Sequence, residues 1–499
     1  MKLHCPPPQA LTSDECQQIV DAAVRIASRV PLRVTGASPA GRDNTYTDQL
    51  LAMLRELGCE ISDDSTRVSF PEPVIALVME RIAAHKARAG EPPEPSSTLS
   101  YSASGQALWC CDAENDRIRA ATVADQAALS RVVDAIPNLS RSHPTFIPQD
   151  VPAATAEVHA FATIILNASQ PWRVSVYTAE LLPHFIELDT LARGGDREAV
   201  NSNPTFAAKA WWNTPFMLTG DNIDIAMKAR ELMGLPLTVS TMPVAGAATP
   251  VTLAGCLALS VAEVLQCNAI SLAADDRLMG WACGPLTIDP RSGIHTQSGP
   301  AVQLIGLGSK EMCVHMFGGR VTPQGGPTTC AKVPGPQSMM EKTMQTAWAV
   351  QGGTRSFGSL ATLATADVGS IVQLMLDVEM MHHFDGLLKG IRVDEETIAE
   401  ELICEVAPRG AYFLNEEHTA RHFREELYLP ELIDTQVPMA WIEDPVTMLD
   451  NARAKARRLI ESAENKCPLS DEQRAQVREI VADAERVAQE AGLEESKRM

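Results

Sequence analysis

Met242-Pro-Val-Ala-Gly-Ala-Ala-Thr-Pro-Val-Thr-Leu-Ala-Gly-Cys-Leu-Ala-Leu-Ser-Val-Ala-Glu263 is the stretch on which the fold turns. The β-branched run just before it, Leu237 to Thr241, reads as a strand. The small residues around Gly246 read as a turn, and the apolar run after Pro250 reads as a helix over Val251 to Gln266. Strand, glycine-bearing loop and long helix in that order form one unit of an α/β protein. The loops after such strands are where α/β folds keep their sites.

The same unit recurs on either side. Strands are expected near Ser142 to Ile147, Trp172 to Tyr177, Phe206 to Trp212, Leu237 to Val244, Leu278 to Cys283, Cys313 to Phe317 and Thr354 to Phe357. Helices are expected at Ala154 to Asn167, Asn222 to Met233, Ser338 to Ala349 and Ser370 to Phe384. Seven or eight alternating units indicate parallel pairing in a closed (β/α)8 TIM barrel. An open doubly wound sheet is the structural competitor, but no G-x-G-x-x-G or Walker-type loop accompanies it.

Two flanking regions complete the organisation. The N-terminal part, residues 1–120, begins with a capped amphipathic helix from Leu11 to Val30 and a second from Tyr46 to Leu57, which stops at Gly58. It ends in a hairpin between Leu99 and Arg119. The catalytic barrel is expected over 121–445. The highly charged segment 446–499 reads as a pair of C-terminal helices, packed outside or making a subunit contact.

Composition narrows the function. The 499 residues carry 42 Lys and Arg against 63 Asp and Glu, a formal charge of −21 that disfavours nucleic acid and anionic membrane as partners. It suits a cationic substrate or a basic protein surface. Twelve cysteines without C-x-x-C spacing read as reduced thiols, with Cys110-Cys111 as packing. The N-terminus lacks the apolar core of a signal peptide, and no uninterrupted apolar run of about 18 residues suggests a span. The expected location is the cytoplasm.

Several ordered motifs carry a resemblance. They are Arg117-Ile-Arg-Ala-Ala-Thr122 with Asp125, Pro148-Gln-Asp-Val-Pro152, the loop from Met242, and Asp289-Pro-Arg-Ser-Gly293. Further on come Gln373-x-x-x-Asp377-x-Glu379, Gly390-Ile391-x-Val393-Asp394, and His418-Thr419-x-x-His422-Phe423-Arg424. Together they resemble the trimethylamine methyltransferase family, whose members move a methyl group from a methylated amine to the cobalt of a separate corrinoid protein. The resemblance implies a TIM barrel, a methylated amine as donor and a corrinoid (cobalamin) borne by a cognate partner protein as acceptor. No pyrrolysine is marked, and Cys330-Ala-Lys-Val-Pro334 carries ordinary residues, which points to the subgroup that demethylates quaternary amines such as glycine betaine. Ser298-Gly299-Pro300-Ala301 departs from the Gly-Ser-Pro-Glu run the family often has there, losing a carboxylate.

A quaternary ammonium needs no proton to leave, so the protein's task is to position and desolvate it. Aromatic faces are the expected device. Tyr177, Trp211, Trp212, Trp281, Phe317 and Phe357 fall at expected strand ends; each ring read alone equally fits barrel packing. Within Trp211-Trp212-Asn213 one tryptophan faces a pocket in either register. His315, Asn213 and Arg320 are candidate donors for an anionic end of the substrate. Gly246, Gly284, Gly318, Gly319 and Gly325-Gly326 follow expected strands, where bare backbone admits a flat corrin ring, though ordinary turns explain each.

No metal site is expected. His418 and His422 are four apart without a third ligand, and His382-His383 ends an apolar helix. Asp377 and Glu379 read as capping or interhelical contacts. The competing functions are demethylation of a tertiary amine or a methylated sulfur compound, and a non-catalytic barrel that binds quaternary amines.

Overall fold

The computed structural model describes residues 9–35, 44–90, 96, 98–141, 145–169, 173–319 and 326–493. Short parallel strands alternate with helices through most of it. Ser100–Ala103 pairs with Leu139–Arg141, Val174–Ser175 with Phe206–Ala207, and Ala210–Trp212 with Val239–Thr241. A single parallel bridge then joins Thr241 to Cys283. Ser356–Leu360, the last of these strands, returns to pair with Ser100–Ala103. Each link is parallel, and no sheet closes on itself among the described residues.

Two apolar cores lie on the helix side of these strands. One gathers the helices Val123–Ala135, Ala156–Asn167, Leu182–Ala192 and Ile371–Lys389 with the C-terminal pair Met448–Ser462 and Asp471–Glu490. The other gathers the N-terminal helices Ser13–Arg29, Thr45–Leu57 and Glu72–Arg88 around Gly220–Met233, Leu253–Asp275 and Pro300–Phe317. The N-terminal region is bound in further by Leu32–Thr35, which pairs in parallel with Met217–Thr219.

Leu253–Asp275 is the hub of the second core. It is long and apolar enough to cross a bilayer by length and composition, yet it is mostly buried inside the protein. Several of its buried polar residues reach across to neighbouring segments. Gln266 donates to the carbonyls of Ala27 and Val30, 3.0 and 2.8 Å away, at the end of the first helix. Asn268 holds both backbone groups of Gly280.

Several expected elements form with shifted ends. The helix after Pro250 runs nine residues past Gln266. The hairpin is confined to Trp109–Cys111 against Ile118–Ala120, while Ser100–Ala103 joins the parallel strands instead. The expected strand Cys313 to Phe317 is the last turn of the helix Pro300–Phe317. A short stretch that is apolar except for His315 fits a strand or one turn of a helix equally, and the helix-starting Gly299-Pro300 decides for the helix. All eleven cysteines among the described residues are unpaired; burial pushes the Cys111 thiol up to about 12.

Candidate active site

Strand alternation defines the site. Val174 and Val176 are buried in a helix-side core, so Ser175 and Tyr177 take the opposite face. Ala210 and Trp212 likewise face the helices, which turns Lys209 and Trp211 the other way, level with Ser240 on the neighbouring strand. Tyr101, Ala103 and Phe357 are core residues, leaving Ser102 and Gly358 on the free side. Parallel strands buried on both faces carry Val, Ile and Leu. This second face carries serines and glycine, with Arg173, Tyr177, Lys209 and Trp211 as its large groups, and it stays accessible: Tyr177 is 41% exposed.

Its polar groups are ordered. The Tyr177 hydroxyl donates to Gln106 Oε1, and Gln106 Nε2 donates to Ser175 Oγ at 3.1 Å. Lys209 Nζ lies 4.4 Å from the centre of the Trp211 ring. Burial and the neighbouring Arg173 charge hold the Lys209 ammonium below the usual lysine range. The Trp211 backbone N–H donates to Asn222 Oδ1, fixing the ring's strand against the following helix.

Two supports hold the strand ends from behind. Glu263, fully buried on Leu253–Asp275, accepts from the Thr214 and Thr241 hydroxyls at 2.9 and 2.5 Å and from the Phe216 N–H at 3.0 Å. It thereby ties the loop after Ala210–Trp212 to the end of Val239–Thr241. Burial raises its pKa above the ordinary glutamate range against the pull of those donors. The second support is the buried pair Lys342–Asp377, 2.7 Å apart. Asp377 also accepts from the Ala361 N–H and from Gln373. Beyond this anchor Ser359, Ala361, Ala364, Thr365 and Ala366 all have positive φ, between 48° and 85°. So many left-handed non-glycine residues in one arc is a store of strain of the kind found beside functional sites.

The residues expected from sequence divide clearly. Tyr177 and Trp211 stand on the accessible face. Trp212 is 4% exposed and packs under the helices. Asn213 is exposed just past the strand, its backbone paired with Met217. Phe357 is 2% exposed, in the helix-side core. Trp281 meets Phe317 edge-on at 6.5 Å within the other core. Because Cys313 to Phe317 is helical, His315 and Phe317 leave the site altogether: His315 bonds Gln17 on the first helix, and Lys86 donates to its carbonyl. Gly318 ends that helix beside Lys86 and Ala89, so Gly318 and Gly319 lie at the entry ends of the strands, away from the expected mouth. Arg320 and Gly325 lie outside the described residues.

Gly246 and Gly284 do sit at the exit ends. Gly246 has φ +88°, and a Cβ there would come within 2.9 Å of Ile288. Its loop is braced by Val244–Ala245, which pairs with Leu286–Ile288. Gly284 is exposed, its N–H bonded to the Thr241 carbonyl, and a Cβ would meet nothing within 4 Å. A cavity of about 590 Å³ lies elsewhere, between the helices Pro300–Phe317 and Pro336–Gln351, where Trp281, Gly284 and Phe357 contribute to its wall. Its described lining holds no carboxylate, and its one cation, Lys310, is bonded to the Gly352 carbonyl.

Gln106, Ser175, Lys209 and Glu263 were not singled out by the sequence. Lys209 alone had a legible signal, since it stands two residues before Trp211 on one strand and must share its face. Among the described residues no group of three or more His, Cys, Asp or Glu is placed to share a metal ion.

Parallel strands alternating with helices, with an open polar face bounded by glycine-bearing loops, define an α/β protein with an accessible site at its strand ends. Over residues 2–489 the chain matches the model of the trimethylamine methyltransferase (MTTB) family, and it belongs to that family. It is a methyltransferase. The trimethylamine methyltransferase MttB of Methanosarcina thermophila is 24% identical over 399 residues, 78% of this chain and 82% of that one. The glycine betaine methyltransferase of Desulfitobacterium hafniense strain Y51 is 24% identical over 347 residues, 68% of this chain and 71% of that one. The crystal structure of the Methanosarcina barkeri monomethylamine methyltransferase superposes with a TM-score of 0.42 at 11% identity, covering 91% of this chain and 94% of that one.

Proposed function

We propose that this methyltransferase takes a methyl group from a small quaternary amine of the glycine betaine type and delivers it to the reduced cobalt of a corrinoid held by a separate partner protein, in the cytoplasm. The strands are read as a (β/α)8 barrel flanked by the N-terminal region and the C-terminal helices, because the last strand pairs with the first. The observation that carries the chemistry is Trp211: its ring already holds a cation, 4.4 Å away, on the accessible face. A quaternary nitrogen on that ring gains on the order of 1–2 kcal/mol once desolvated.

The corrinoid, when brought by its partner protein, would supply the electron pair that receives the methyl group. The residues of this chain bind and orient the donor. Trp211 and Tyr177 hold the methylated nitrogen, Gln106 and Ser175 fix the Tyr177 ring, and Glu263 keeps the loops at the strand ends in register. The C–N bond breaks with its electron pair on nitrogen, so the tertiary amine leaves neutral and no acid is needed. Gly246 and Gly284 offer bare backbone at the same ends, which suits the approach of a flat ring. The names of the trimethylamine methyltransferase relatives favour a tertiary amine as the second reading.

The test is product analysis. The protein is incubated with a reduced corrinoid protein and either glycine betaine or trimethylamine. Dimethylglycine formed only when both proteins are present supports the proposal. Dimethylamine from trimethylamine, with glycine betaine untouched, supports the second reading.

A further inference from the structure

Lys209 is a cation without a counterion. Among the described residues its ammonium has no carboxylate partner and no hydrogen bond, and it lies over the Trp211 ring. The second charged group on the same face, Arg173, is also positive; it stands two residues before Ser175 and close enough to act on Lys209. No acidic side chain of the described strands shares this face; the one carboxylate that acts on it, Glu157 in the first turn of Ala156–Asn167, reaches Tyr177, whereas the charge acting on Lys209 is that of Arg173. A substrate that is only a cation would enter against two like charges. A substrate with a carboxylate beside its ammonium would not.

We propose that Lys209 receives the carboxylate of the substrate, and that the enzyme selects zwitterionic quaternary amines over quaternary amines lacking an anion. This rests on the reading given above and adds the specificity residue to it. The ammonium now on the Trp211 ring marks where a cation is held. On binding, the carboxylate draws Lys209 off the indole, and the ring face it vacates takes the methylated nitrogen. One side chain thereby matches the charge of the anionic end and clears the aromatic surface for the cationic end. The hydroxyls of Ser175 and Ser240 supply further donors on the same face. Of the residues expected to hold the carboxylate, His315 is on an outer helix, Asn213 lies just past the strand and Arg320 falls outside the described residues; Lys209 is the cation that the described strands place over Trp211.

The experiment is calorimetric titration of the full chain with glycine betaine and with tetramethylammonium, for the wild type, Lys209→Met, Lys209→Arg and Trp211→Leu. Melting curves establish that each variant folds. Loss of a charge-assisted bond corresponds to roughly a tenfold or larger fall in affinity. Lys209→Met should show that loss for glycine betaine and equal or tighter binding of tetramethylammonium. Lys209→Arg should restore most of the glycine betaine affinity, which also covers the case in which the methionine variant fails to fold. Trp211→Leu should weaken both ligands. If Lys209→Met weakens both ligands alike, or leaves glycine betaine unchanged, the carboxylate assignment is wrong while the quaternary-amine reading stands. If the wild type binds neither ligand, that reading falls first.

Discussion

Glu263 is a carboxylate met by three donors at the junction of two strand ends, and it titrates in a direction that can be checked. Its folded pKa lies above the ordinary value. A group raised in this way contributes stability that is fully present below its unfolded pKa and is lost as pH rises through the folded one. The folding free energy, followed by urea titration, should therefore carry a downward component as pH rises from just above the ordinary glutamate value. Glu263→Gln should remove that component. Its further cost should be small, about 0.5–1.5 kcal/mol, because the amide oxygen keeps the Phe216 N–H while the N–H2 donates to the threonine hydroxyl oxygens. The buried pair Lys342–Asp377 makes a sharper case. Lys342→Met leaves a carboxylate uncompensated inside the core and should cost about 3–5 kcal/mol, whereas Lys342→Met with Asp377→Leu should recover much of it. Urea midpoints for the two variants check the order.

Loops and helices show a different division between what was readable and what was not. The helix Ser13–Arg29 was legible from Thr12 and Glu15, which form a capping box, and Thr45–Leu57 from Gly58, which takes the left-handed cap. Cys313 to Phe317 was not, since so short a run fits both periods and the signal that decides for the helix, Gly299-Pro300, stands more than ten residues before it. That one misassignment carried His315, Phe317, Gly318 and Gly319 to the wrong end of the strands. Trp211 and Trp212 were legible as a pair but not individually, because the face each takes depends on which helices cover the strand. Among the loop glycines, Gly246 is demanded by its own backbone, while Gly284 is not. Gly284→Val should therefore leave the melting behaviour within about 0.5 kcal/mol of wild type. If bare backbone there admits the corrinoid, methyl transfer should fall by about 10–100-fold, as a small displacement of reacting groups does. Paired melting and product measurements separate the two effects.

At the scale of the whole molecule, the alternation of strands and helices was readable, and the sharing of cores across distant segments was not. The C-terminal helices look like a charged appendage in sequence. Yet Ala452, Ala456, Val477, Ala484 and Ala488 enter the same core as Phe161 and Met381. His159 meets Glu485 at 2.8 Å, and His184 meets Asp483 at 3.0 Å. Small alanines pack helices closely while leaving a weak hydrophobic signal, which is why the charge dominated the reading. Removing residues 446–499 should strip one wall from that core. The expected result is loss of the cooperative thermal transition and rapid proteolysis, checked by circular dichroism and limited trypsin digestion.

The pairing of Ser100–Ala103 with Ser356–Leu360 has a consequence for biosynthesis. More than half of the 499 residues separate the two partners. At roughly 5–20 residues per second on the ribosome, the earlier strand waits on the order of ten to fifty seconds with one hydrogen-bonding edge unsatisfied. The nascent polypeptide is thus a natural client for chaperones that shield open strand edges.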